Sequence, residues 1–250
     1  MNYSFQVAYL NAIRQKKLIP EYILEDVFVK KNFSSLFSLF KEYNFKVANF
    51  SDNDLLDAYN FELVIKNELE DTLVLINSLL YSQHIWLVDW IKSYFIEKKF
   101  SNIEELILFF ENSYINFKKF NSKLIEDLIN LIVDFENIKL FLSYSLKAEV
   151  SASNLKFLKF GRIDDILLKK LFPSLESLSS YLSYTYYPKL KLTIQPMKEN
   201  INYYFNYYLK ELIWQSKFYY FTIEPIIFYF FEKLIESQKL KEIYYDIKFS

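Results

Sequence analysis

The sequence predicts an all-α fold, and three observations support this. Apolar residues recur every three or four positions over long segments, which is the period of a buried helix face rather than of a strand. The chain has 26 Phe and 22 Tyr but one Gly, so its helices must pack through large side chains. Hydrophobic residues make up 52% of the 250 residues, enough for a sizeable core. We expect a single compact helical array over residues 1–250.

Most predicted helices follow a start signal, because residues that cap a helix or open its first turn precede an apolar stripe. In chain order, these signals are Pro20 before Glu21–Lys31, Ser51–Asp54 before a helix that extends to about Leu80, Ser101–Glu104 as a capping box, Gly161 before Ile163–Phe172, and Thr222–Pro225 before a last helix toward Ile243. The clearest helix is Ser122–Lys147, whose apolar residues step by three and four. Pro188 and Pro196 bracket Lys189–Gln195, whose alternation predicts a short extended piece.

Two pairs of similar segments, which we call the first and the second echo, predict pseudo-repeats. Pro20–Phe45 and Gly161–Tyr187 both show a short helix, a Ser-bearing break, a second short helix and an aromatic exit. Asp134–Lys139 and Glu236–Lys241 both begin with an acid, which is followed three residues later by a polar residue, an aliphatic residue and Lys. Repeats of this size are typical of helical arrays and pseudo-symmetric rings. A composition rich in Lys, Asn and Ile can also generate such echoes by chance.

Composition excludes several kinds of chemistry. The chain has no Cys, which excludes disulfides, thiolate catalysis and zinc–sulfur sites. A single Gly excludes the P-loop and the dinucleotide fingerprint. Basic residues number 30 against 31 acidic ones, and only Arg14 and Arg162 are arginines, which disfavours nucleic-acid recognition. No window is apolar enough to span a bilayer and Met1–Ile13 lacks a secretory signal, so we expect a soluble protein of a reducing compartment.

The titratable residues give no strong catalytic or metal signal, and we expect no catalytic residue, no cofactor and no metal. His84 is the only histidine, and a helix-surface or helix-end position is the expected role. We interpret the acidic groups as helix-start residues or as solvated helix faces rather than as an acid–base or metal site. These groups are Glu104 with Glu105, Asp164 with Asp165, and Glu68 with Glu70 and Asp71.

Four aromatic residues are candidate contacts with a partner protein. Trp86 and Trp90 are four residues apart, which fits either a buried stripe or an aromatic anchor in a protein–protein interface. Tyr203 and Tyr207 belong to adjacent Tyr pairs that cannot all be buried. One edge of that helix should therefore line a groove or a partner surface.

Three segments, Tyr9–Ile19, Asp134–Lys139 and Ile223–Tyr229, stand in the same order as motifs of a known family. They resemble the N-terminal signature, the recurrent Asp-x-x-Asn-Ile/Leu-Lys motif and the C-terminal Glu-Pro segment of the C subunit of the V/A-type rotary ATPases, which is the d subunit in vacuolar enzymes. In the first motif, Asn11 and Arg14 form a small basic group with Lys16 and Lys17, which fits a solvated helix face. In the family, this group would hold the N-terminal helix to its neighbours or contact the rotor. We favour the structural role.

The resemblance implies a funnel-shaped, all-helical connector without nucleotide chemistry. Such a protein lies on the membrane proteolipid ring, receives the rotor shaft subunits and transmits torque for ATP-coupled ion transport. It implies a cytoplasmic protein that is peripheral to the membrane through its complex, with no membrane span of its own. Known members are longer, so we expect pseudo-repeats at about 1–100, 101–150 and 151–250, with the middle one compressed.

Three other functions stay open on the sequence alone. A stand-alone helical interaction module, such as an adaptor or an immunity-type binder, would use a Tyr-rich surface. An enzyme on a helical scaffold would have to work with carboxylates, Tyr and Lys only. A peripheral amphipathic membrane binder is disfavoured, because the helices carry mixed charge rather than a basic face.

Overall fold

The structure, a computed structural model, describes residues 2–47, 50–146, 151, 154–190 and 197–250. Within these ranges the chain is helical and has no strand, which confirms the predicted all-α fold. In chain order, the α-helices are α1 (Ser4–Lys17), α2 (Glu21–Lys30), α3 (Phe33–Glu42), α4 (Ala58–Leu79), α5 (Ile85–Ile91), α6 (Ile103–Lys118), α7 (Lys123–Ser145), α8 (Asp165–Leu171), α9 (Leu175–Tyr184), α10 (Met197–Ser216) and α11 (Glu224–Phe249). Lys92–Glu97 continues α5 as a π-helix.

The helix starts follow the predicted caps in most cases. Ser122 caps α7 by accepting a hydrogen bond from the Ile125 amide at 3.2 Å. Two starts differ from the predicted signals. Helix α4 begins after Asp57 rather than at Ser51–Asp54, because the Asp57 carboxylate accepts the first free amides of the helix. Helix α6 is capped by Asn102 rather than by Ser101, because the Asn102 side chain accepts the Glu105 amide at 2.9 Å. Of the predicted extended piece, Lys191–Gln195 lies outside the described residues.

The chain forms two compact units. Unit 1 contains Met1–Lys99 and Gln215–Ser250, and unit 2 contains Phe100–Trp214. In unit 1 the long helices α4 and α11 pack against each other, and α1, α2 and α3 pack on α11. The Phe61 and Tyr244 rings stack between α4 and α11, with centroids 4.0 Å apart. In unit 2 the core forms along α7, where Phe135 packs edge-on against Tyr187.

The first sequence echo has a counterpart in the caps of two helix pairs, α2–α3 in unit 1 and α8–α9 in unit 2. Asn32 caps α3 by accepting a hydrogen bond from the Ser35 amide at 2.7 Å. Ser174 caps α9 by accepting one from the Ser177 amide at 3.1 Å. The cap in the first pair is therefore Asn32 rather than a serine.

The exits from the two pairs also agree. The Phe45 amide donates to the carbonyl of Phe40 at 2.8 Å, and the Tyr187 amide donates to that of Leu182 at 2.9 Å. In both places the hydrogen bond joins an aromatic residue to the residue five positions before it. Both aromatic residues, Phe45 and Tyr187, are buried in the core. The three pseudo-repeats stay a prediction.

Candidate functional site

Arg14 lies on α1 and binds the start of α11. Its Nε is 2.8 Å from the Glu232 carboxylate, and the two side chains are only 12% and 10% exposed. One guanidinium nitrogen donates to the Pro225 carbonyl at 2.9 Å and the other to Asn11 at 3.0 Å. Since a mostly buried pair is screened less than a surface pair, Arg14 holds α1 firmly on α11. The Asn11 side chain supports this contact from the exposed face of α1, and a contact of Asn11 or Arg14 with a partner protein stays a prediction.

Lys233 of α11 is the centre of a buried polar cluster. Its side chain is 0% exposed, with Nζ 2.5 Å from Glu236 and 3.2 Å from Glu68 of α4. Nζ also donates to the Lys17 carbonyl at 3.0 Å, so the three donors of the ammonium meet three acceptors. The second oxygen of Glu236 accepts the Ile19 amide at 2.7 Å. We call Glu68, Lys233 and Glu236 the terminal clasp, because they join the end of α1 to α4 and α11.

The clasp corrects one prediction. Glu68 was expected on a solvated helix face with Glu70 and Asp71, but it is buried against Lys233. The expectation holds for its neighbours, since Glu70 is 3.8 Å from Lys66 and the Asp71 carboxylate is 2.7 Å from Lys46 at the surface. The sequence signal for the clasp is Lys233, which lies in an apolar segment with Glu232 before it and Glu236 after it.

Burial decides the electrostatics of the clasp. Desolvation raises the pKa of Glu236 above its ordinary value, although the nearby Lys233 ammonium and the Ile19 amide favour the ionised carboxylate. Desolvation also raises the pKa of Tyr229, whose hydroxyl is buried among Glu236, Glu68 and Glu232. The clasp is therefore a set of groups that need one another to stay charged in the core.

In unit 2, Asp134 and Asn137 of α7 bind the chain that enters α8. Asp134 accepts the Ile163 amide at 3.0 Å and the Tyr187 hydroxyl at 2.6 Å. The Asn137 side chain forms two hydrogen bonds with the backbone of Leu158, donating at 2.9 Å and accepting at 2.7 Å. Desolvation raises the pKa of Asp134 to about 6, although the donors from Tyr187 and Ile163 oppose the rise.

Asp134 and Glu236 perform the same local task. Each is a buried carboxylate on a long helix that accepts the backbone amide just before a short helix, Ile163 before α8 and Ile19 before α2. The second sequence echo places its acid at these two positions. The echo therefore corresponds to a repeated hydrogen-bonding function.

The aromatic candidates differ in how much surface they present. Trp90 is buried and stacks on Tyr94 with ring centroids 5.7 Å apart, whereas Trp86 is half-buried. Tyr203 is 66% exposed. Tyr207 is half-buried, and its hydroxyl donates to Glu211 at 2.7 Å and accepts from Lys189. As partner contacts all four stay predictions, but Tyr203 has the surface that such a contact needs.

The remaining titratable candidates have structural roles. His84 stands at the start of α5, as predicted for a helix-end histidine, with Nδ1 2.6 Å from the Tyr3 hydroxyl. Asp164 caps α8 by accepting the Ile166 amide at 2.8 Å. Glu105 accepts the Ser101 amide at 2.9 Å at the start of α6. Among the described residues, no three or more His, Asp or Glu side chains form a metal-binding group.

The described part of the chain contains no helix that is both long and apolar enough to cross a membrane. A family model described as ATP synthase (C/AC39) subunit matches residues 13–245. No curated protein and no solved structure gives a significant match. The matched range includes Arg14, Asp134 and the terminal clasp, and it covers most of unit 1 and all of unit 2. The chain therefore belongs to the ATP synthase C/AC39 subunit family, which comprises the C and d subunits of the V/A-type rotary ATPases.

Proposed function

We propose that this chain is the non-catalytic central-stalk connector of a V-type rotary ATPase. It links the rotor shaft subunits to the membrane proteolipid ring, on the cytoplasmic side, so that ATP turnover and ion transport are coupled. The observation that carries the proposal is the family match over residues 13–245, which extends through both compact units.

The internal bonding of the chain suits a part that transmits torque. A connector under load must resist sliding of its helices past one another. In unit 1, Arg14 joins α1 to α11, and the clasp joins α11 to α4 and to the α1–α2 connection. These contacts are directional and mostly buried, so they resist shear more specifically than apolar packing does.

The polar groups of the two sites support a structural role rather than a catalytic one. Arg14, Lys233 and Asp134 each direct their polar atoms at partners within the chain. A general acid or base has to reach a substrate within hydrogen-bond distance. Side chains that already bind backbone carbonyls and amides are better suited to holding helices together.

The connector role can be tested in the assembled enzyme. Native cells that lack the chain would be complemented with the wild-type chain or left without it, and the complex would be purified through a tag on the catalytic part of the ATPase. Three properties would be measured: recovery of the proteolipid ring, ATP hydrolysis by the soluble head, and ATP-driven ion uptake into membrane vesicles.

Without the chain, we expect the head to hydrolyse ATP, the ring to be lost from the purified material and ion uptake to stop. Undiminished ion uptake without the chain would refute the proposal. Loss of ATP hydrolysis from the head itself would indicate a catalytic contribution. In a separate purification through a tag on this chain, recovery of one soluble protein and no part of an ATPase would replace this function with the adaptor function.

A further inference from the structure

Unit 1 carries an exposed aromatic turn between α10 and α11. The side chains of Phe218, Tyr219, Tyr220 and Phe221 are 58%, 42%, 56% and 62% exposed. Phe5, near the start of α1, is 78% exposed. Single exposed aromatics are common on protein surfaces, but four in succession form a patch that indicates an interaction.

One backbone hydrogen bond joins this turn to the N-terminal segment, and two further hydrogen bonds join the N-terminal segment to Tyr81. The Tyr3 amide donates to the Phe221 carbonyl at 3.0 Å. The Tyr81 amide donates to the Tyr3 hydroxyl at 3.2 Å, and the Tyr81 hydroxyl donates to the Asn2 carbonyl at 3.0 Å. Because Tyr3 is itself buried, the exposed rings are attached to a fixed platform. We call the segments Asn2–Phe5, Tyr81–His84 and Phe218–Phe221 the aromatic end of unit 1.

Apart from His84, the aromatic end has no acidic or basic side chain over an unusual length of chain. No Asp, Glu, Lys or Arg occurs at residues 2–13, 72–88 or 218–223, although 24% of the chain is charged. The nearest charges in sequence to the turn are Lys217, which lies 3.3 Å from Glu232, and Glu224, which is buried. The exposed rings are instead accompanied by Asn2, Ser4 and Ser82.

This chemistry fits the boundary between lipid headgroups and acyl chains. Aromatic rings with a hydroxyl at one edge concentrate at that boundary, and phenylalanine adds apolar area that acyl chains can cover. A surface without charged side chains can enter it without the cost of desolvating an ion.

We propose that the aromatic end of unit 1 binds the interface of a lipid bilayer, with Phe5 and the Phe218–Phe221 turn inserted among the headgroups. The membrane contact is made by a loop and a helix start, not by a basic helix face. It goes beyond the connector function, since it requires neither the proteolipid ring nor the rotor shaft. Because no Lys or Arg side chain of the aromatic end takes part, binding should need no anionic lipid and should change little with salt.

The test uses the full-length chain and vesicles of pure phosphatidylcholine, with binding measured by co-sedimentation. The test variant combines Phe5→Ser, Phe218→Ser, Tyr220→Ser and Phe221→Ser. The matched control combines Tyr22→Ser, Val29→Ser and Tyr59→Ser, which are similarly exposed residues of unit 1 outside the aromatic end. We expect the test variant to bind at least about tenfold more weakly and the control within about twofold of wild type, because only the first loses apolar area at the membrane.

A second measurement needs no substitution and so does not depend on how the variants fold. Vesicles should slow amide hydrogen exchange of the wild-type chain at residues 2–5 and 217–223 but not in α2. Absence of wild-type binding, equal binding by both variants, or exchange protection elsewhere would overturn the proposal. So would binding that requires anionic lipid and is lost at high salt. Self-association that disappears in the test variant, without vesicle binding, would assign the surface to a second copy of the chain.

Discussion

At the scale of single residues, the charged groups in the core matter most for stability. Lys233 gives up its hydration entirely, and it regains interactions through two carboxylates and one backbone carbonyl. A buried ion group is not by itself strongly stabilising, but removing one member leaves the others charged in a medium that solvates them poorly. The clasp should therefore respond sharply to a change at its centre.

We expect Lys233→Met to lower the free energy of unfolding by about 3–5 kcal/mol, because Glu68 and Glu236 are left without their cation. Urea unfolding followed by circular dichroism measures this change. The matched control is Lys239→Met on the same helix, whose exposed partner Glu242 is 3.2 Å away. The control should change stability by less than about 1 kcal/mol. Equal effects of the two substitutions would contradict the importance assigned to the clasp.

Asp134 should make the stability of the chain depend on pH. Its pKa is about 6 in the folded chain and 3.8 ordinarily, so between these values the folded state keeps a proton that the unfolded state has lost. The stabilisation from that proton is complete below pH 3.8, falls as the pH rises, and is gone above about pH 6.

Asn cannot titrate, so Asp134→Asn isolates this effect. The unfolding free energy of wild type minus that of the variant should fall by about 2 kcal/mol between pH 4 and pH 7, which is most of the change that the pKa difference allows. Urea titrations at several pH values measure it. Asp165→Asn, which removes a partly exposed ion pair with Lys169, is the control and should show little change. A difference that is constant or rises with pH would contradict the assignment.

At the scale of elements, local sequence patterns predicted the helices but not what they bind. The step of three and four in Ser122–Lys147 and the Pro20, Ser101–Glu104 and Gly161 signals gave α7, α2, α6 and α8 to within a few residues. These signals depend only on residues that are close together in sequence. Glu68 was misplaced, because a mid-helix acid looks the same in sequence whether it faces water or a buried lysine from another helix.

Gly161 also shows that local sequence does not reveal tertiary contacts. It precedes α8, but a contact with α7 is a second reason why a glycine is needed there. A Cβ atom at this residue would lie 2.1 Å from the nearer Asp134 carboxylate oxygen and 3.0 Å from a Val133 methyl group. That carboxylate is fixed by the Ile163 amide and the Tyr187 hydroxyl, so it cannot move aside freely. The glycine is required by the close approach of the α8 entry to α7.

We therefore expect Gly161→Ala to destabilise the chain by at least about 1–3 kcal/mol, as overpacked positions do. Thermal and urea unfolding measure the loss. Ser180→Ala on the exposed face of α9 is the control and should be nearly neutral. If Gly161→Ala were as stable as wild type, the carboxylate of Asp134 would have to be freer than its hydrogen bonds indicate.

At the scale of the whole molecule, the feature that sequence reasoning could not supply is how the chain ends meet. The echo located the acids Asp134 and Glu236, but it did not name their partners. Asp134 binds an amide 29 residues ahead, whereas Glu236 binds the Ile19 amide 217 residues behind it. Local patterns do not encode such a distant pairing. We propose that Glu236 of α11 binds the entry to the first helix pair, α2–α3, in the same way as Asp134 of α7 binds the entry to the following pair, α8–α9.

This arrangement makes unit 1 depend on the end of the chain, while unit 2 is continuous in sequence. A chain that stops at Ile223 lacks α11 and with it Glu232, Lys233 and Glu236. Because α4 and the α1–α2 connection lose their buried partners, we expect the amides of α1–α4 to exchange rapidly with solvent. The amides of α7–α9 should keep most of their protection, since Asp134 and Asn137 bind only within unit 2.

Hydrogen exchange with mass spectrometry on the truncated and full-length chains measures both units in one experiment. A control chain that stops at Lys248 keeps the clasp and should match the full-length protein. Equal loss of protection in both units would mean that the molecule unfolds as one cooperative body. Retained protection in α1–α4 would mean that apolar packing holds those helices without the clasp. We expect protection to be lost only in α1–α4. This result would show that contacts between residues far apart in sequence, rather than local helix propensity, stabilise unit 1.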